Sequence, residues 1–346
     1  MSRAYDSRSG DDLIFAFDIG ATKSKALLTP FVGKKLASCE GQGFNLRQKD
    51  HREFLELIDE LTERLNAASH IPVTAPSIMA MGIAGAGSEK DRNSIRDILA
   101  SQWSESMILV HHDAFISHYG AFGGHPGVIV TSGTGSIAYG RNEDGDEERA
   151  GGWGWVLGDE GSGWWIGREA IRALLYSSEG GPDTVLRKSV LEEFAVDSPH
   201  DLLTIVYNQN FERTRISDLS PLVTHAAAEG DPVSRKILYR AGRKLSEMAI
   251  RVARNLHIPP GILRVALAGS VCDHCGADLY AGFDTGLDQY NLQESARTGD
   301  PGQPDPRARA HRTVPDPGPF RVTPRMNAVH GAAQWARDTL LERRTG

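Results

Sequence analysis

Two glycine turns, each following an apolar run, carry the residue types that hold phosphate. The first is Asp18-Ile19-Gly20-Ala21-Thr22-Lys23, after the run over residues 13–18, and the second is Ser132-Gly133-Thr134-Gly135-Ser136, after residues 127–131. Glycine lets backbone N–H groups approach an anion closely and hydroxyls add donors, so each turn can act as a phosphate nest, and a pair could clamp one triphosphate. Neither is a P-loop, because that motif needs Gly-x4-Gly-Lys-Ser/Thr opening a helix, and here a second apolar strand follows each turn. A third feature is Asp113, placed after a buried strand and before a helix, at the carboxyl edge where open α/β sheets bind ligands. Phosphoryl transfer to a hydroxyl needs a carboxylate to accept the proton, and Asp113 is the best candidate; its structural alternative is a helix N-cap. His111 and His112 beside it predict no metal site, since adjacent strand residues point to opposite faces.

A fourth feature combines Gly151-Gly152-Trp153-Gly154 with Gly158-Asp159-Glu160-Gly161-Ser162. An aromatic plane, a carboxylate and bare backbone suit a sugar, whose ring faces are apolar and whose rim is hydroxylated. Asp159 is read as a ligand, whereas Trp155, Trp164 and Trp165 are read as core. Cys272 and Cys275 have zinc-like spacing, but no second cysteine pair completes four ligands.

The elements that must position these residues alternate between periods of two and 3.6. Strands are expected over residues 13–18, 25–29, 34–44, 77–84 and 107–110, with an amphipathic helix over 50–67 and a short helix over 92–100. The second half repeats the theme from about Gly120, with strands over 127–131 and 137–141, an acidic tip at 143–146, and a helix over 164–176 capped by Ser162. Helices follow over 182–194, 200–207, 218–229 and 231–256, then a strand over 265–268 and a closing helix over 328–341. Hairpins in matching places suggest an internal duplication. This is an α/β pattern, divided into domains at 12–119 and 120–346, with 276–319 read as irregular or disordered because glycine, proline, arginine and aspartate crowd it.

A chain of 346 residues is long enough for two domains with a cleft between them, and a net charge of −7 without a basic run argues against nucleic acid or anionic membrane as partner. No apolar stretch is long enough to span a bilayer and the N-terminal residues lack a signal-peptide core, so a cytoplasmic protein is expected. Three cysteines give no disulfide framework.

On the motifs SGTGS, GGWG and GDEGS at this spacing, the chain resembles the N-acetylglucosamine kinase family, a branch of the actin, Hsp70 and hexokinase ATPase fold grouped with the activator ATPases of benzoyl-CoA reductase and 2-hydroxyacyl-CoA dehydratases. The resemblance implies a two-domain actin-like (ribonuclease H-like) ATPase fold that uses ATP and Mg2+ to phosphorylate the 6-hydroxyl of an amino sugar, as a homodimer. It implies that Asp18, Gly20, Thr22 and Lys23 form the first phosphate loop, with Asp18 holding magnesium, and that Ser132, Gly133, Thr134, Gly135 and Ser136 form the second. Gly269-Ser270 would meet the adenosine and Ser217 the adenine. Asp113 would be the base, and Asn45, Gly152, Trp153, Gly154 and Asp159 would meet the sugar. The alternatives are an activator ATPase, for which cluster cysteines close to the nucleotide are missing, and a sugar-binding sensor without turnover.

Overall fold

The computed structural model describes residues 12–32, 34–46, 50–208, 212, 214–298, 321–322 and 326–345. Of the polar end expected to be frayed over residues 1–12, residues 1–11 lie outside them, and Asp12 is held, its carbonyl accepting from Phe31 N–H and its Oδ1 from Ser77 Oγ, both at 2.7 Å. By its internal contacts the chain divides into two compact units, residues 1–125 with 324–346, and residues 126–323. The sequence boundary at 119/120 is therefore displaced by a few residues, and the last helix returns to the first unit rather than staying in the second.

The first unit grows from β1 (Leu13–Ile19), whose near-continuous apolar run is buried on both faces, as expected of a central strand. It pairs antiparallel with β2 (Lys23–Pro30), which pairs with β3 (Ala37–Gln42), and on its other side it runs parallel to β4 (Ile78–Ile83), followed by β5 (Met107–His112). The strand order is β3-β2-β1-β4-β5. Helix α1 (His51–Ser69) links β3 to β4, α2 (Glu89–Gln102) links β4 to β5, and α3 (Asp113–Phe122) leaves β5 directly. Asp50 caps α1 by accepting from Arg52 and Glu53 N–H groups, and a capping box of Ser88 and Asp91 starts α2. Phe54, Leu57, Ile58, Leu61 and Leu65 of α1 are buried at helical spacing against the sheet.

The second unit repeats the first. Strand β6 (Gly127–Ser132) pairs antiparallel with β7 (Ser136–Arg141), β7 with β8 (Glu147–Gly151), and β6 runs parallel to β9 (Val265–Ala268), which pairs with β10 (Arg321–Val322). Its order, β10-β9-β6-β7-β8, is that of the first sheet read backwards, so the two hairpin turns occupy equivalent places. The helical block is α4 (Gly163–Ser178), α5 (Leu186–Phe194), α6 (Asp201–Val206), α7 (Thr214–Ser217), α8 (Ser220–Ala228) and α9 (Pro232–Asn255), and α10 (Ser270–His274) follows β9. These elements enclose one core that includes Trp164, Trp165, Leu245 and Phe283.

The segment expected to be irregular is not so at its start. Helix α11 (Gly276–Thr298) packs along α9, with Leu279, Phe283, Leu287 and Tyr290 buried at helical spacing. The glycines that read as loop are contact points: a Cβ on Gly282 would stand 2.0 Å from the Tyr239 carbonyl oxygen, one on Gly286 1.9 Å from Ser246 Oγ, and one on Gly242 1.9 Å from the Leu279 carbonyl oxygen. Small residues let the two backbones approach at the expense of the apolar periodicity that sequence reading relies on. Residues 299–320 lie outside the described part. Helix α12 (Ala328–Thr345) closes the first unit against α3 and the sheet. Among the described residues no helix is long and apolar enough to cross a membrane.

Candidate active site

In the first unit, Asp18 sits near the carboxyl end of β1, in register with Gly82 of β4, which is in turn in register with His111 of β5. Asp113 therefore begins α3 at the same edge. A Cβ on Gly82 would lie 3.1 Å from the Asp113 Cα and 2.4 Å from Ile116, so glycine there lets α3 start close over the sheet. The cap of α3 is His112, whose Nδ1 accepts from Phe115 N–H at 3.1 Å, and not Asp113, the sequence alternative. Asp113 is the first helical residue, and its Oδ1 accepts from Ala114 N–H at 2.9 Å. Burial pushes its carboxyl above the usual carboxylate range, against the pull of that N–H. Asp18 is pushed up to about 7, first by burial and then by the charge of Asp113, with Lys25 and Lys23 pulling it down. Two neighbouring carboxylates, one of them held this high, are a donor set that fits a divalent cation.

The turn after Asp18 is tight. Gly20 N–H donates to the Lys23 carbonyl at 3.1 Å, while Thr22 and Lys23 are exposed. Phe44 N–H donates to the Gly20 carbonyl at 3.0 Å and Leu46 N–H to the Ala84 carbonyl at 3.1 Å, which holds half-buried Asn45 between the turn and the end of β4. Asp18, Gly20, Thr22, Lys23, Asn45 and Asp113 thus share one edge of one sheet.

In the second unit the equivalent turn is stitched to the loop before α4. Ser132 Oγ donates to the Gly161 carbonyl at 2.9 Å, Ser136 Oγ donates to the Glu160 carbonyl at 2.8 Å, and Ser136 N–H donates to Asp159 Oδ1 at 3.2 Å. Gly163 N–H adds a bond to the Gly133 carbonyl at 2.8 Å. The two serine hydroxyls, expected as phosphate donors, are instead spent on fixing the turn. Thr134, half-buried, makes no side-chain hydrogen bond among the described residues, so the free hydroxyl of the turn is its own. Asp159 is 5% exposed and adopts φ +62°, a left-handed conformation that a non-glycine residue keeps only when its surroundings hold it. A Cβ on Gly135 would stand 2.9 Å from Asp159 Oδ2, so this glycine is the room the carboxylate occupies.

Gly269 and Ser270 lie against the same turn. A Cβ on Gly269 would be 2.4 Å from the Ser132 carbonyl oxygen, and one on Gly133 3.5 Å from Ser270 Oγ. Ser217 joins them through Gly163, whose Cβ would lie 3.4 Å from the Ser217 carbonyl oxygen; Ser217 Oγ is buried without a partner among the described residues. Buried Cys272 lies close to the Ser132 and Ala268 backbone beneath the turn, and burial pushes its thiol up, so it is a packing residue.

The loop between has Gly152 and Gly154 at φ +69° and +83°, and Gly158 N–H closes back onto the Gly154 carbonyl at 2.8 Å. Trp153 is 63% exposed, with the Arg149 guanidinium 5.0 Å from its ring centre. Trp164 and Trp165 are core as expected, but Trp155 is 44% exposed, because it packs on the outer side of Trp164 at 5.7 Å. Sequence reading also missed the cluster on α4 where Glu169, 6% exposed, meets Arg168, Arg172 and Arg240. The spacing Trp164 to Arg168, one helical turn, was its available signal.

Residues 17–289 match the model of the BadF/BadG/BcrA/BcrD ATPase family. The chain is 33% identical over 233 residues to the N-acetylmuramic acid/N-acetylglucosamine kinase of Clostridium acetobutylicum, covering 67% of this chain and 76% of that one. It is 29% identical over 257 residues to the N-acetyl-D-glucosamine kinase of Dictyostelium discoideum, covering 71% and 80%. A Chromobacterium violaceum structure assigned as a candidate N-acetylglucosamine kinase superposes with a TM-score of 0.70 at 25% identity, covering 93% of this chain and 98% of that one. With its duplicated sheets and the two equivalent turns, the chain has the actin-like ATPase fold and belongs to the BadF/BadG/BcrA/BcrD ATPase family.

Proposed function

We propose that this protein is an ATP-dependent sugar kinase that transfers the γ-phosphoryl group of ATP to the 6-hydroxyl of an amino sugar. The observation that carries the reading is the edge shared by Asp18 and Asp113, two half-buried carboxylates of raised pKa in a family of ATPases whose named relatives phosphorylate amino sugars. Asp113, in its ionised form, accepts the proton of the attacking hydroxyl as the O–P bond forms and ADP leaves. Its bond from Ala114 N–H fixes Oδ1 and leaves Oδ2 for the hydroxyl. Asp18 would hold the magnesium that accompanies ATP, which when bound spreads the negative charge of the β- and γ-phosphates. Thr22 and Lys23 offer hydroxyl and ammonium donors to phosphate at the turn that the Gly20 N–H bond keeps tight, as do the backbone of Thr134 and Gly135 and the Thr134 hydroxyl in the turn that the Gly133 N–H closes. Gly269, Ser270 and Ser217 take the nucleoside. Asn45, Gly152, Trp153, Gly154 and Asp159 take the sugar.

Arg149 narrows the substrate. Its guanidinium has no carboxylate partner among the described residues and stands over the exposed Trp153 ring, which favours an amino sugar carrying a carboxylate, as N-acetylmuramic acid does. ADP release with magnesium ATP and a panel of N-acetylglucosamine, glucosamine, N-acetylmuramic acid and glucose tests the reading. Stimulation by at least one amino sugar, with the 6-phosphate as product, is expected. Sugar binding without turnover would instead mark a sensor, and nucleotide hydrolysis indifferent to every sugar would point to the activator ATPases.

A further inference from the structure

Glu169 is a nearly buried carboxylate with more cation than its charge requires. Arg172 meets its Oε1 at 2.8 Å and Arg240 its Oε2 at 3.1 Å, so both oxygens are already paired when Arg168 adds a third contact at 3.4 Å. A buried carboxylate needs a counter-charge, but one or two guanidinium groups supply it. Arg168 is therefore surplus to the ion pair, and its position explains itself in the other direction: its guanidinium lies 4.8 Å over the ring centre of Trp164. A cation held over an aromatic face is attracted by the ring quadrupole and restrains the ring. Trp164 is 6% exposed on that helix, and its ring carries Trp155 at 5.7 Å and 58°. Trp155 belongs to the loop over 152–159, whose two ends are fixed by the hydrogen bonds to Ser136. Between those ends the loop has the Gly154 to Gly158 turn, the Arg149–Trp153 stack and the Trp155–Trp164 contact.

We infer that Glu169, through Arg168 and Trp164, positions Trp155 and with it the middle of the 152–159 loop, so that the geometry offered to the sugar is set by an ion cluster on α4. Arg168 is a positioning residue in this scheme. The inference rests on the reading of that loop as the sugar loop.

The test compares full-length wild type, Arg168→Met, which keeps the apolar stem and removes the guanidinium, and Arg168→Lys, which restores a cation. In Arg168→Met the KM for the amino sugar rises about tenfold, the scale of one cation–aromatic contact, with the KM for ATP unchanged and kcat within about twofold. Arg168→Lys recovers part of the loss. Chymotrypsin followed by mass spectrometry cuts after residues 153, 155 or 157 several-fold faster in Arg168→Met than in wild type. An unchanged sugar KM overturns the proposal, whatever the cleavage rate does, and so does a uniform fall in all kinetic parameters with a lowered Tm, the signature of a purely structural role. If no sugar supports turnover in wild type, the kinase reading fails by itself. The cleavage comparison then still decides on the positioning of the loop, and equal rates overturn it.

Discussion

Asp18 and Asp113 set the behaviour of the first unit residue by residue. Because burial and the Asp113 charge hold Asp18 up to about 7 when folded, against 3.8 ordinarily, the folded chain keeps a proton that the unfolded chain gives up. Between those values the native state binds more protons than the unfolded state, so this group's contribution to stability is present below about pH 4 and lost as the pH rises towards 7. Asp18→Asn should accordingly be more stable than wild type at pH 8 without nucleotide, by on the order of 3 kcal/mol, with the advantage fading towards pH 4 in urea unfolding. An equal or lower stability at pH 8 would show that the carboxylate is not held in this environment. The same variant should lose nucleotide-dependent activity. For Asp113 the raised pKa places the acid limb of kcat above the ordinary carboxylate range, since the base works only when ionised. The candidates Asp113, Asp159 and the two glycine turns were legible in the sequence because glycine, serine and aspartate between apolar runs signal backbone needs directly. What Ser132 and Ser136 do was not legible. A hydroxyl in a turn reads as a donor to ligand or to protein alike, and only the fold shows the carbonyls of Gly161 and Glu160 taking both.

At the scale of elements, the hairpins, the buried strands and the capped helices followed from periodicity and caps, and Ser162 caps α4 as its sequence position predicts. Helix α11 did not, because its interface with α9 depends on Gly242, Gly282 and Gly286, residues that carry no apolar signal. The cost of that arrangement is intolerance of a methyl group. Gly282→Ala would drive a Cβ against the Tyr239 backbone, at a site where no flexible side chain can yield, and should destabilise the protein by about 1–3 kcal/mol in urea unfolding, despite alanine's better helix propensity. A neutral or stabilising effect would mean that α9 and α11 are not packed this closely.

For the whole molecule, the chain folds as two repeats of one sheet order, yet its last helix belongs to the first repeat. Helix α12 buries Val329, Ala332, Ala333 and Ala336, Tyr119 donates to Asp338 at 2.6 Å, and Arg337 donates to Thr29 Oγ1 at 2.8 Å. Gly331 lets α12 approach α3, where a Cβ would lie 2.1 Å from the Ile116 carbonyl oxygen. The helix that carries Asp113 is thus braced by the far end of the sequence, a link that no local pattern could reveal. Removing residues 328–346 should lower the Tm by several degrees and expose α3, measured by thermal unfolding and hydrogen exchange over residues 113–122. The central claim is that this fold brings Asp113 to a sugar hydroxyl as its base. The most direct measurement is kcat for the amino sugar that best stimulates ADP release, taken for wild type and Asp113→Asn alongside calorimetric sugar binding. A fall of about a hundredfold to ten-thousandfold in kcat with sugar affinity retained is the expected result, and a variant that keeps full turnover would contradict it.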